Sequence, residues 1–250
     1  MKFARFSVGK AEYWGLVEGD TVQVVTGVPY GDYKVSEAKY ALNEVVLLAP
    51  VTPSKIIGAG MNYKAVAIAK GVEFPAEPIL FLKPGTTLVG YGQNIVVPDK
   101  VKTPAFEAEL AVVIGKQAKN IAPADALDYI FGYALANDVT AKDHMPKGQP
   151  WTKGKSFDTF TPIGPFLVTG VDPSAVELTL TVNGVVKQQG VTEDMIFDVP
   201  ALVAFISGIM TLEPGDVILT GTPPGGGEFA HGDVIEIASP QLGSLRNPVA

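Results

Sequence analysis

The chain contains no cysteine in its 250 residues. That excludes disulfides, thiolate metal sites and cysteine nucleophiles. Histidine is nearly as scarce: His144 and His231 are the only two, which limits histidine-based chemistry. Charged residues make up 18%, little for the surface of a monomer, so a buried self-association surface is expected. Long hydrophobic runs are missing too. The most apolar helix-like run, Val199 to Met210, falls short of the roughly 20 residues that a membrane span needs. The first residues, Met1-Lys2-Phe3-Ala4-Arg5-Phe6, hold no apolar core of signal-peptide length. Positive charge does not dominate: the net charge is -7 and the pI about 4.9, which argues against nucleic acid as a partner. These absences predict a cytoplasmic protein with neither membrane nor nucleic-acid partners.

What the chain does have is apolar residues and chain breakers. Hydrophobic residues reach 47%, enough for one large core or a core with a small satellite. With 27 Gly and 20 Pro, many short strands and turns are expected. Residues 1–52 read as a small N-terminal β domain. Lys2 to Val8 and Tyr13 to Val17 suit a hairpin around Gly9-Lys10, Thr21 to Val25 follows, and Tyr40 to Leu48 leads to Pro50 and Pro53. Residues 53–250 form the larger unit. Short strands are expected at Ile56-Ile57, Ile79 to Leu82, Ile95 to Val97, Leu110 to Ile114, Gly132 to Ala136, Val217 to Thr220 and Asp233 to Ile237. Asn183-Gly184 between Leu178–Val182 and Val185–Gln188 is the strongest hairpin signal. Helices are expected at Pro123 to Tyr129 and at Val199 to Met210, the latter capped by Asp198. The short segment Lys64 to Lys70, stopped by Gly71, suits a mobile lid. The pattern is α+β and mainly β.

Polar residues at strand ends carry the chemical information. In Phe106-Glu107-Ala108-Glu109-Leu110, two glutamates stand two apart, so a strand puts both on one face. An edge strand with solvated carboxylates and a divalent-metal site both satisfy that spacing. Asp138 follows the apolar run Gly132 to Ala136, either as a third ligand or as a turn residue. Glu107, Glu109 and Asp138 together would make a hard all-oxygen site suited to Mg²⁺, Mn²⁺ or Ca²⁺. Lys153 and Lys155 alternate with apolar and small residues. A lysine partly desolvated near a metal has its pKa lowered and can act as a base. The loop Leu219-Thr220-Gly221-Thr222-Pro223-Pro224-Gly225-Gly226-Gly227 can hold a carboxylate with its N–H groups and Thr222, but it lacks the Gly-Lys-Ser/Thr ending of a nucleotide loop.

Six segments in this order resemble the fumarylacetoacetate hydrolase family. They are Gly60-Met61-Asn62-Tyr63, Glu77 to Pro84, Phe106 to Leu110, Ala136 to Asp143, Lys155-Ser156-Phe157-Asp158-Thr159-Phe160 and Ile218 to Pro223. The resemblance covers about residues 55–250. It implies a mixed β-roll with short helices, a Mg²⁺ or Mn²⁺ site, a homodimer and a 2-oxo or β-diketo acid substrate. Glu107, Glu109 and Asp138 would bind the metal, Lys155 would be catalytic, and Thr222, Lys142, Lys83 and Tyr63 would meet the substrate. Family reactions include C–C hydrolysis, decarboxylation and isomerisation, all through an enolate. The family usually places histidine and glutamate in its lid, as Asn-Tyr-x-x-His-x-x-Glu, to activate water; Val66 and Ala69 stand there. Lys142 and Met145 replace an arginine and a glutamine. Enolate chemistry on a 2-oxo acid is therefore expected, with hydrolysis disfavoured unless His144 supplies a base. The alternative is an altered member that binds a small acid, or a specialised isomerase, hydratase or cyclase.

Overall fold

The apolar run after Glu109 lies in the strand Ala108–Ile114, which is buried along its whole length. Small and β-branched side chains suit a strand covered on both faces. In this computed structural model, which describes residues 1–148 and 150–250, that strand lies inside a twelve-stranded mixed sheet. It pairs antiparallel with Ile130–Asn137 on one side and with Val217–Leu219 on the other. Val217–Leu219 runs parallel to Ile56–Gly60, whose other neighbour is the edge strand Ile79–Lys83. Two smaller sheets complete the mainly β fold, one of three and one of four strands.

Strand alternation divides the core in two. Leu110, Val112 and Ile114 face the larger cluster, with Leu178, Leu180 and Ile237 of the four-stranded sheet. Ala111 and Val113 face the other, with Phe3, Ile163 and Leu167. Each fully buried side chain of this size contributes about 1.5–3 kcal/mol. A scaffold packed on both faces holds its strand ends in fixed positions, and the site is built on those ends.

The N-terminal strands Lys2–Val8, Ala11–Glu18, Thr21–Gly27 and Tyr33–Ala41 pair in sequence. They enclose a cluster of their own around Phe6, Val17 and Val22. Yet they extend the large sheet, because Lys2–Val8 pairs with Thr161–Val168. The sequence placed an element at Tyr40 to Leu48. Instead the chain forms Tyr33–Ala41, a turn at Leu42–Glu44 and a short strand Val46–Leu48. Tyr33–Ala41 is mostly exposed, so it carries no apolar alternation to read. Ile95 to Val97 is not a strand; Ile95 makes a single bridge to Val249. Pro123–Tyr129 is a 3₁₀ rather than an α-helix.

Other expectations match the fold. Glu177–Val182 and Val185–Val191 form the hairpin around Asn183-Gly184, both with positive φ as a type I′ turn requires. The lid segment is the helix Lys64–Lys70, ended by Gly71 in the left-handed region at φ 64. Among the described residues no helix is long and apolar enough to cross a membrane. The helix Val199–Ile209 is capped by Asp198, whose carboxylate accepts from the Ala201 N–H at 2.8 Å. Asp198→Ala should lower stability by about 1 kcal/mol in urea unfolding while leaving metal binding intact.

Candidate metal and substrate site

Strand register brings the three carboxylates together. Ala108 lies opposite Asn137, so Asp138 leaves its strand beside Glu107. Two bonds lock the junction: the Asp138 N–H donates to the Glu107 carbonyl at 2.9 Å, and the Glu107 N–H donates to Asn137 Oδ1 at 2.9 Å. Glu109 lies two residues on, and its Oε2 accepts from the Gly221 N–H at 2.8 Å. Gly221 sits at φ 99, and a Cβ there would lie 2.8 Å from Asn62 Cβ, so only glycine fits. One carboxylate oxygen from each of Glu107, Glu109 and Asp138 lies within 4.8 Å of the others. Glu109 and Asp138 are buried and Glu107 half-buried.

Two ammoniums meet these carboxylates. Lys155 ends the short helix Thr152–Lys155; its Nζ lies 2.7 Å from Glu107 and also pairs with Asp138. Lys153 faces solvent. Lys83 ends the edge strand and is fully buried behind Asp138, at 2.5 Å from its Oδ1 and 2.8 Å from the Phe160 carbonyl. The sequence placed Lys83 against the substrate. In the fold its polar contacts are with the protein, and it orients Asp138.

Charge in the cluster is unbalanced, with three carboxylates to two ammoniums. Burial holds the Glu109 carboxyl well above its ordinary range, and the charge of Asp138 adds to this. Burial also opposes the charged form of Asp138, but Lys155 and Lys83 more than offset it and hold that carboxyl down. Burial lowers Lys83. For Lys155 burial acts the same way, yet Asp138, Glu107 and Glu109 outweigh it and keep the ammonium protonated above its usual range. The lowered pKa expected of Lys155 is thus reversed without a cation: the carboxylates it touches stabilise its charge. A dication placed among the carboxylates would offset that pull. Three convergent hard oxygens, one of them on a carboxyl that would give up its proton to bind, fit Mg²⁺, Mn²⁺ or Ca²⁺.

The cluster opens into an inner cavity of about 120 Å³, whose apolar wall includes Met61, Val66, Phe81, Met145 and Trp151. Thr222 and Lys155 also line it. An outer cavity of about 280 Å³ is lined by Val66, Ala69, Lys70, Lys142, Thr222 and Pro223, among others. Lys142 therefore belongs to the outer cavity. Tyr63 lines neither. It is fully buried where the lid helix begins, and its hydroxyl has no hydrogen-bond partner among the described residues. His144 is also elsewhere: its Nε2 lies 3.0 Å from the Lys100 carbonyl and its ring packs on Phe157. It is not placed to activate water at the cluster.

The sequence reading missed Gln188. It is buried, and its Oε1 accepts from the Ala108 N–H at 3.0 Å, between the two glutamates. Its Nε2 donates to the Pro223 carbonyl at 2.8 Å and to Thr222 Oγ1 at 2.9 Å. A backbone donor and a backbone acceptor fix the amide's orientation, so Thr222 Oγ1 is the acceptor here. The Thr222 O–H is left free to donate into the cavity. Gln188 looks like Gln189 in sequence; only the hairpin register separates them. Asn62 was also missed as a brace: its Nδ2 donates to the Phe197 and Thr220 carbonyls and its Oδ1 accepts from the Phe197 N–H.

Two measurements check this geometry. Glu109→Ala should abolish stoichiometric Mn²⁺ binding by calorimetry. In the native chain Glu109 holds its proton above the ordinary carboxylate range, whereas a metal needs the carboxylate. Affinity should therefore fall as pH drops through that raised pKa, and binding should release protons, seen as a dependence of the apparent enthalpy on the buffer. Gln188→Leu should leave the Ala108 N–H unpaired and Thr222 loose, lowering stability by about 1–3 kcal/mol in chemical denaturation.

Similarity to known proteins points the same way. Residues 55–250 match the model of the fumarylacetoacetate (FAA) hydrolase C-terminal family, and residues 1–50 match an Rv2993c-like N-terminal family. The mitochondrial oxaloacetate tautomerase fahd2 of Xenopus laevis is 42% identical over 241 residues, covering 88% of this chain and 76% of that protein. The crystal structure of 5-carboxymethyl-2-hydroxymuconate delta-isomerase from Mycobacterium smegmatis superposes with a TM-score of 0.94 at 38% identity, covering 100% of this chain and 99% of that one. Maleylpyruvate hydrolase from Sphingobium sp. SYK-6, solved with manganese(II) and pyruvate, gives 0.83 at 31% identity, covering 100% of this chain and 99% of that one.

Proposed function

Because the chain belongs to the fumarylacetoacetate hydrolase family, we propose that it is an isomerase of small 2-oxo acids that moves a proton between the keto and enol forms. Glu107, Glu109 and Asp138 would hold Mg²⁺ or Mn²⁺. When bound, that cation supplies Lewis-acid polarisation of the 2-oxo group. Lys155 presents its ammonium at the inner cavity; it would give a proton to the substrate in one direction, and the amine left behind would take it back in the other. Thr222, with Gln188 already donating to its oxygen, donates its own O–H to the substrate carboxylate. Lys83 keeps Asp138 oriented from behind.

The lid wall carries the choice of reaction. Val66 lines both cavities and Ala69 the outer one, so neither position offers a base to water. A missing general base typically costs about 10²- to 10⁴-fold, which weighs against hydrolysis and leaves proton transfer unaffected. Relatives named as a tautomerase and a delta-isomerase support this reading. The same bare lid favours a second reading, a member that binds a small acid without turnover. A homodimer is part of the proposal: the edge strand Ile79–Lys83 leaves Ile79 and Leu82 exposed, as a self-association face would.

With Mg²⁺ or Mn²⁺ the protein should accelerate conversion of enol to keto oxaloacetate, followed by ultraviolet absorbance. Lys155→Met should slow it about 10²- to 10⁴-fold. Pyruvate release from an acylpyruvate at a comparable rate would refute the isomerase. Absence of metal-dependent proton exchange at C3 across a panel of 2-oxo acids, read by NMR in deuterated water, would leave the binder.

A further inference from the structure

Gly58 and Gly60 stand two apart on the strand Ile56–Gly60, so both present a bare backbone to one face. Two aromatic rings use that space. Phe81 lies opposite Gly58 in the strand pairing, and a Cβ at Gly58 would fall 2.1 Å from its Cζ and 2.5 and 2.6 Å from its two Cε atoms. The ring therefore lies flat on the glycine, and a side chain there would push it away. A Cβ at Gly60 would fall 1.9 Å from Cζ3 of Trp151. The two rings meet at 5.7 Å between centroids, tilted by 60°. Trp151 also opens the turn that carries Lys155, whose N–H donates to the Trp151 carbonyl at 3.1 Å. That turn sets the Lys155 Nζ over the Phe81 ring, 5.0 Å from its centroid. Phe81, Trp151 and Lys155 all line the inner cavity. Phe81 and Lys155 are both buried, so the pair is withdrawn from water.

We propose that Phe81 is a positioning residue: its ring face holds the Lys155 ammonium beside the carboxylate cluster, so the site needs an aromatic face there and not merely an apolar side chain. The inference rests on the reading of Lys155 as the group that exchanges a proton with a 2-oxo acid. The negative face of an aromatic ring attracts a cation, and more strongly where water is excluded. Glu107 and Asp138 also hold the ammonium, but their oxygens are the ones a dication would claim. A dication there would repel the ammonium as well. The ring is an attraction for which the metal does not compete. An aliphatic side chain would fill the wall and leave the ammonium to drift. Loss of the ring would also make the ammonium a slightly stronger acid, which works the other way. Misplacement outweighs it, since a shift of about 1 Å can cost about 10²-fold in rate.

The contact is measured first in the metal-free protein, by a double-mutant cycle of Phe81→Leu and Lys155→Met in urea unfolding. The two changes should be non-additive by about 5- to 30-fold in the unfolding equilibrium constant. Trifluorophenylalanine in place of Phe81 keeps the shape of the ring and removes its negative face. It should destabilise the native chain and leave the Lys155→Met variant unchanged, which a ring that only fills space would not do. With Mg²⁺, Phe81→Leu should lower kcat for C3 proton exchange of oxaloacetate about 10- to 100-fold with KM unchanged. Stoichiometric Mn²⁺ binding should stay intact. The proposal is overturned if the cycle is additive, if the fluorinated ring acts alike with and without Lys155, or if Phe81→Leu raises KM and spares kcat. Where Lys155→Met does not fold, the kcat and KM of Phe81→Leu decide. A non-additive cycle in a native chain that exchanges no 2-oxo acid would sink the isomerase reading and uphold the hold of Phe81 on Lys155.

Discussion

Three carboxylates held within 4.8 Å of one another, two of them buried, are the constraint around which the molecule is built. Carboxylates that close repel, and desolvation adds several kcal/mol for each buried charge. The fold answers with positive charge from two directions and with backbone dipoles. Lys155 comes from the cavity side, Lys83 from behind, and the Gly221 N–H from the neighbouring strand end. Those groups come from segments far apart in sequence, and only the central sheet brings them together. Its strand Ala108–Ile114 is flanked by Ile130–Asn137 and Val217–Leu219, so Asp138 and Gly221-Thr222 emerge at the same edge as Glu107 and Glu109. Breaking either lysine pair would leave an uncompensated buried charge, at a cost of about 3–5 kcal/mol.

Rigidity is distributed accordingly. Every carboxylate stands on or next to a strand packed on both faces. The lid is a helix of seven residues, too short to be stable alone, with only Ala67 buried. It is anchored where it begins, by Asn62 and the buried ring of Tyr63, and ends freely at Gly71. Differences in what family members do can therefore arise in the lid without disturbing the carboxylates, since the two are built from separate parts.

Much of this was legible in the chain. Period-two spacing of Glu107 and Glu109, an aspartate after a buried run, and a glycine-rich loop after another gave the cluster its members, and Asn183-Gly184 and Asp198 marked a turn and a cap that are present. What escaped was whatever depended on partners across the sheet. Tyr33–Ala41 shows no alternation because little of it is buried. Gln188 differs from Gln189 only by register, and register is a property of the hairpin. Lys83 and Lys155 read alike as lysines near a site. Their surroundings separate them: burial lowers one, and three carboxylates raise the other. Tyr63 was read as a substrate contact from its motif, but its place at the root of the lid puts it behind the cavity wall.

The lid also bears on the proposed preference for proton transfer over cleavage. Enolisation and C–C hydrolysis share their first requirement, stabilisation of negative charge on the 2-oxo group, and the carboxylate cluster serves both. They part at what meets the activated substrate next. Hydrolysis needs a water that is oriented and deprotonated. Isomerisation needs a proton returned to one defined atom and water kept away. Val66 brings a methyl-bearing surface to the inner cavity where a base would otherwise hold water, and Met61, Met145 and Trp151 make the remaining wall apolar. Lys155 faces that space among the carboxylates and apolar groups lining it, with Lys70 at its border and the Thr222 hydroxyl nearby. On the proposed reading, a largely apolar wall beside a proton-carrying lysine favours return of the proton over attack by water, whatever the rest of the substrate looks like.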